Sequence, residues 1–332
     1  MPDLPALFGY GSFRYRLEPG WGRLPAGWSL VEVAGVAADS LDRIYVFNRG
    51  EHPVIVFDRE GNFLSAWGEG VFTRPHGITI SPDDLLWLTD DLGHCVRQCT
   101  PDGRILATLG TPDIPSDTGA EGFDYRTIRQ VGPPFNKPTN VALAADGGLF
   151  IADGYGNARI HHFSATGELL SAWGGPGSKP GQFNVPHGIA IDAAGLVYVA
   201  DRENSRIQIF DPQGNLQNIW TNVARPMQVR IDAAQNVFVA EVGFHAGMFP
   251  WNTAPDDAPG ASVSVFNLRG ELLSRWGGGP DPCAPGNFFA PHDLNLDSHG
   301  DIYVAEVAWS AGGCRGLVPA DCHVLQKFVR AQ

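Results

Sequence analysis

The chain has 332 residues, 41 of them glycine and 26 proline, and a formal net charge of −13. That charge argues against sequence-independent binding to nucleic acid or anionic membrane, because phosphate contacts need a basic footprint. The length gives room for a buried core and no compositional boundary divides it, so residues 1–332 read as a single domain. The opening residues, MPDLPALFGYGSF, are neither basic nor continuously apolar, and no apolar run approaches a membrane span, so a cytoplasmic location is expected. Short apolar runs between Gly, Pro, Asn and Asp favour many strands with tight turns and almost no helix.

In chain order, the first strand-like stretch is Phe13-Arg14-Tyr15-Arg16-Leu17. A unit then recurs: strand, turn, apolar-Tyr-apolar-Ala-Asp, loop, strand, Asp/Gly turn, strand ending in Trp-Gly, loop, and Pro-x-x-apolar. Its second strands begin near Tyr45, Trp87, Phe150, Tyr198, Phe238 and Tyr303, with insertions around residues 113–131 and 248–260. The clearest copy spans residues 188–220, where Ile189 and Ile191, Val197 and Val199, and Ile207 and Ile209 alternate with period two. Turn residues bound each run, as antiparallel hairpins require. Six units of four strands predict an all-β, six-bladed β-propeller, a ring that hides its sheet edges. The sixth unit has only three strands, the last at 324–329, so Phe13–Leu17 is expected to join it and close the ring.

Five cysteines (Cys95, Cys99, Cys283, Cys314, Cys322) show no CxxC spacing and leave at least one unpaired, indicating neither a disulfide framework nor a cysteine zinc site. Cys95 and Cys99 read as one face of a strand. Cys314 and Cys322 bracket a Gly-rich excursion and are the pair that could form a bridge.

One slot at the start of each unit's first strand holds Ala34, His76, Thr139, His187, Met227 and His292. The histidines lie in Arg74-Pro75-His76-Gly77, Val185-Pro186-His187-Gly188 and Ala290-Pro291-His292-Asp293, on alternate units. A single Pro-His is ordinarily a polar residue at a strand entry. Three in one slot on alternate blades stand about 120° apart around the channel and can converge on its axis, as a zinc site with an open fourth position requires. The loops after the second strands reach the same mouth: Asn48-Arg49, Asp90-Asp91, Asp153-Gly154-Tyr155, Asp201-Arg202, Glu241-Val242 and Glu306-Val307. Arg49 and Arg202 occupy equivalent slots on opposite blades and could face each other across the metal, with Glu51 and Glu203 as candidate ion-pair partners. Asp153 and Asp201 suit turns whose backbone donors they accept. Tyr155 is flanked by Gly154 and Gly156, which would relieve the backbone around the ring and leave it free to enter the site.

RPHGI, FNKPTNVAL, IADGYGNARI, GQFNVPHGIAI, VADRENSRIQIF and APHDL, in that order, resemble the catalytic core of the peptidyl-α-hydroxyglycine α-amidating lyase family, a six-bladed propeller of NHL-type repeats. The likeness runs over about residues 45–303. It implies zinc on His76, His187 and His292, Tyr155 as general base, Arg202 and Arg49 as catalytic and carboxylate-binding residues, and a structural calcium at Asp293. The implied reaction splits an N-acyl-α-hydroxyglycine, a small molecule or peptide bearing a carboxylate, into an amide and glyoxylate. A monomer without nucleic-acid or membrane partners is expected. Three positions depart from the family: Ala290 stands for its Met, Asn140 for its Asp, and Gly156 for its Cys, so that cysteine's disulfide is absent. A related enzyme acting on a ureidoglycolate-like substrate and a non-enzymatic NHL interaction platform are the alternatives. A calcium lactonase-like site would need oxygen ligands where this axis offers imidazoles.

Overall fold

The alternation seen in the sequence becomes blades in the computed structural model, which describes residues 6–248 and 257–331. Blade one contains Val33–Ala38, Ile44–Asn48, Val54–Phe57 and Phe63–Trp67; blade two Pro75–Ile80, Leu86–Asp90, Cys95–Cys99 and Ile105–Leu109. Blade three contains Asn140–Leu143, Leu149–Asp153, Arg159–Phe163 and Leu169–Trp173; blade four Pro186–Ile191, Val197–Asp201, Arg206–Phe210 and Leu216–Trp220. Blade five contains Pro226–Ile231, Val237–Glu241, Ser262–Phe266 and Leu272–Gly277. Blade six runs from Pro291–Leu296 through Ile302–Glu306 and Leu325–Arg330 to Phe13–Leu17. All pairings are antiparallel, and the inner strands touch in sequence, with blade six against blade one. The chain is an all-β six-bladed propeller. Ala308–Ala311 is the only α-helix among the described residues.

The second strand of each blade is buried on both faces, so there period two sorts side chains between two neighbours rather than between core and water. Val197 and Val199 pack with Phe150, Ile160 and Phe183 on the blade-three side. Tyr198, one residue out of phase, packs with Val229, Val237 and Phe266 on the blade-five side. Ring closure follows the expected pairing, with Tyr15 opposite Arg330 and Leu17 opposite Phe328. Leu7–Tyr10 adds a fifth strand outside Phe13–Leu17, which the repeat count did not anticipate because nothing in the other units corresponds to it.

Cys314 and Cys322 are not bridged to each other. The bridge joins Cys283 to Cys322, with Cα atoms 5.2 Å apart, while Cys314 is free and exposed in a 3-10 turn. Cys322 pairs across the sheet's mouth with the loop that leads into blade six, a neighbour distant in sequence and hence absent from the local spacing. Cys95 and Cys99 lie buried on the third strand of blade two. Of the 248–260 insertion, residues 249–256 lie outside the described residues; that of 113–131 carries the short 3-10 turn Tyr125–Thr127.

Two features aim the inner strands at the axis. The register between first and second strands slips at Val33/Gly35, Pro75/Ile78, Pro186/Ile189, Pro226/Gln228 and Pro291/Asp293; such bulges turn a side chain away from the pleat. The buried acid ending each second strand then ties down the loop before the slot. Asp90 accepts from the Thr73 and Arg74 amides, Asp153 from Asn136, Asp201 from Asn184, Glu241 from Ala224 and Glu306 from Phe289 and Ala290. In blade one Asn48 does the same for Val31. The acids are therefore scaffold, as read for Asp153 and Asp201.

Candidate metal centre and active-site cavity

His76, His187 and His292 converge on the channel axis. Their ring centroids form a nearly equilateral triangle with sides of 4.8, 4.6 and 4.7 Å, and all three residues are buried. One ring nitrogen from each lies within 4.8 Å of the others. The slot residues of the intervening blades explain how the rings are held. His76 Nδ1 donates to the Thr139 carbonyl at 2.7 Å, His187 Nδ1 to Met227 at 2.7 Å and His292 Nδ1 to Ala34 at 2.6 Å. Each histidine thus bonds the equivalent position of the next blade, which puts its proton on Nδ1 and leaves the Nε2 lone pair for a ligand. Burial pushes all three well below the ordinary histidine value; nearby arginines add to the effect on each, and neighbouring imidazoles add to it on His76 and His292, which favours the uncharged rings. His292 Nε2 is buried with no hydrogen-bond partner. Neutral, oriented imidazoles and an orphaned nitrogen fit a tris-histidine divalent metal site.

Tyr155 reaches over this triangle. Its hydroxyl lies 3.1 Å from His76 Nε2, 3.0 Å from His187 Nε2 and 3.4 Å from Arg202 Nη1. Neither flanking glycine has a left-handed backbone. They are required for space: a Cβ on Gly154 would strike the Pro186 carbonyl, and one on Gly156 would strike Asn136. The glycines therefore serve clearance and not backbone freedom.

The loops after the second strands do line the mouth. The Arg49, Arg202, Val242 and Val307 amides bond the carbonyls of Glu32, Val185, Arg225 and Ala290, each two residues before the slot, which sets them at one height. Arg49 and Arg202 both line a cavity of about 470 Å³ that also contains Tyr155 and His292. Arg202 Nε donates to Glu203 at 2.7 Å, and Arg225 donates to the same oxygen at 2.6 Å. Burial works against charge on Glu203, yet Arg202 and Arg225 outweigh it and hold the carboxyl below its usual range. Arg49 is paired with Glu32 at 2.8 Å, not with Glu51, and donates through Nε to the Pro75 carbonyl. Its Nη2 is buried without a partner.

Several contributors were not singled out from sequence. Arg74 lines the cavity, pairs with Asp91 at 2.5 Å and lies 4.8 Å over the Phe123 ring. Its signal was its place before a slot proline, shared with Arg225. Phe123, Met227, Val242, Met248 and Val307 give the same cavity its apolar lining. Beneath the histidines, Asp293 is fully buried and its oxygens are already engaged. Oδ1 accepts from Gln228 Nε2 at 2.8 Å, Oδ2 from the Val36 amide at 3.2 Å, and Arg230 Nη2 stands 3.3 and 3.4 Å from the two oxygens. A carboxylate occupied by a guanidinium does not fit the calcium site implied for it. The other seven histidines lie outside this cluster; among them His161 pairs with Asp153, His323 with Glu306, and His52 stacks on Trp28.

Residues 183–210 match the NHL repeat family. NHL repeat-containing protein 3 of Mus musculus is 34% identical over 313 residues, covering 88% of this chain and 81% of that protein. Peptidyl-alpha-hydroxyglycine alpha-amidating lyase 1 of Drosophila melanogaster is 32% identical over 268 residues, covering 73% of this chain; the chain spans 44% of that lyase's length. Among solved structures, a gluconolactonase from Xanthomonas campestris matches with a TM-score of 0.62 at 13% identity, covering 99% of this chain and 96% of that one, a likeness of fold alone. By the repeat, its order and these likenesses, the chain belongs to the family of NHL-repeat propellers that includes NHL repeat-containing protein 3 and the peptidyl-α-hydroxyglycine α-amidating lyases.

Proposed function

We propose that this protein is a zinc-dependent carbon–nitrogen lyase that splits an N-acyl-α-hydroxyglycine into an amide and glyoxylate. The observation that carries this reading is the Tyr155 hydroxyl, held within 3.1 Å of two ligand-ready imidazoles and 3.4 Å of Arg202 at the base of an arginine-lined cavity. A divalent metal bound by His76, His187 and His292 supplies Lewis acidity toward the substrate's oxygen atoms. The chain's own residues do the rest. Arg49 offers a buried, unpartnered Nη2 to the substrate carboxylate, and Arg202 presents its guanidinium to the same cavity. The planar fork suits a carboxylate better than an ammonium does. Tyr155 accepts the hydroxyl proton, and the Arg202 charge complements negative charge on its oxygen. As the proton leaves, the C–O bond becomes the aldehyde carbonyl of glyoxylate. The C–N electron pair then collapses onto nitrogen, which takes the proton back from Tyr155 to become the amide and restores the base.

The test is glyoxylate release from a simple N-acyl-α-hydroxyglycine, compared with spontaneous breakdown and with chelator-treated protein. Release should be rapid and chelator-sensitive. Tyr155→Phe should lower it on the order of 10²–10⁴-fold, the usual contribution of a positioned base, with bound metal unchanged. Full activity in Tyr155→Phe would sink the base assignment, and no release from metal-containing protein would reject this substrate class.

A further inference from the structure

Three positions after the histidine slot, the inner strands carry Ala37, Thr79, Ala142, Ala190, Arg230 and Asn295, so one charged residue enters this layer and three alanines leave it room. Arg230 crosses from blade five. Its Nη2 donates to the Ile78 carbonyl of blade two at 2.9 Å and lies 3.3 and 3.4 Å from the Asp293 carboxylate of blade six. Its Nε donates to the Leu294 carbonyl at 3.2 Å, and its Nη1 lies 3.4 Å from Thr79 Oγ1. Asp293 also accepts from the Val36 amide of blade one. One guanidinium therefore gathers a buried carboxylate and a backbone carbonyl of blade six and a backbone carbonyl of blade two. That is a hard-oxygen set of the kind that holds calcium, whose ligands stand 2.3–2.6 Å from the ion. An ion on these same oxygens would stand directly against a fixed positive charge.

We infer that Arg230 is a built-in axial cation that takes the place of a dissociable divalent ion at Asp293. A tethered charge has no binding equilibrium, so the cohesion of blades one, two, five and six does not depend on free calcium. The oxygen set left by removing the guanidinium is a latent calcium site.

The experiment is calorimetric titration of calcium-free, zinc-loaded protein with Ca²⁺, together with melting temperatures with and without millimolar Ca²⁺. Wild type should show no binding isotherm and no shift in Tm. R230A should melt several degrees lower and recover part of that loss on adding Ca²⁺, with a titratable site. Stoichiometric calcium binding by wild type, or a Tm that rises with Ca²⁺, overturns the inference, as does an R230A variant that melts like wild type. The wild-type titration needs no variant. If R230A does not fold, R230K, which keeps the charge and loses the fork, should melt below wild type and remain insensitive to calcium.

Discussion

Arg49 and Arg202 hold equivalent slots in blades one and four, yet their surroundings differ. Arg202 shares Glu203 with Arg225, whereas Arg49 is held by Glu32 and keeps one buried nitrogen unpartnered. Glu203 could be named as a partner from sequence because it is the next residue; Glu32 could not, because it comes from the strand entry alongside. Substituting Arg49→Ala should raise KM for the hydroxyglycine about 10- to 100-fold, the range for losing a charge-assisted hydrogen bond. Arg49→Lys should recover little of it, and steady-state kinetics in which lysine restores KM would count against a forked carboxylate contact. The histidines make a prediction in pH. Burial first, then neighbouring charges, holds each folded imidazole well below its ordinary value, while the unfolded chain titrates near about 6.5. Below that pH the unfolded state binds more protons, so this stability is complete above about 6.5 and is lost as pH falls. Metal-free protein should lose Tm between pH 7 and 5, and the slope should flatten when all three histidines are replaced by Gln. Parallel profiles for the two proteins would contradict it.

At the scale of the inner strand, the Pro-His-Gly motif is a single device. The bulge beside the proline turns the histidine inward, and its Nδ1 reaches the next blade's slot carbonyl. The glycine lets that carbonyl approach: a Cβ on Gly188 would press on Met227 O and Gln228, and one on Gly77 on Thr139 O. The slot residues Ala34, Thr139 and Met227 thus orient the histidines through their backbone carbonyls, a contact that does not depend on which side chain they carry. Gly188→Ala should displace the carbonyl that orients His187 and weaken metal binding by about 10- to 100-fold, as loss of an outer partner usually does. Competitive titration with a metal indicator would measure this, and unchanged affinity would mean that the carbonyl contact does not orient the ring.

Across the whole molecule, closure depends on both ends of the chain meeting in blade six, where Phe13–Leu17 pairs with Leu325–Arg330 and Cys283–Cys322 braces the same region. Removing the bridge as Cys322→Ser should cost about 2–4 kcal/mol and lower Tm by several degrees. Peptide mapping without reductant should recover Cys283 joined to Cys322 and leave Cys314 open to alkylation; a Cys314–Cys322 peptide would refute this pairing. Such a bridge persists in oxidising surroundings. No helix among the described residues is long and apolar enough to cross a membrane. What was legible in the sequence was everything that repeats: six units, strand periods, the slot holding His76, His187 and His292, and the loops carrying Arg49, Tyr155 and Arg202, because a ring of equivalent blades turns sequence register into spatial register. Tertiary structure alone decided what breaks the repeat. The fifth strand of blade six, the partner of Cys322, the Glu32–Arg49 pair and the guanidinium of Arg230 on Asp293 each join segments with no shared register, and only the closing of the ring brings them together.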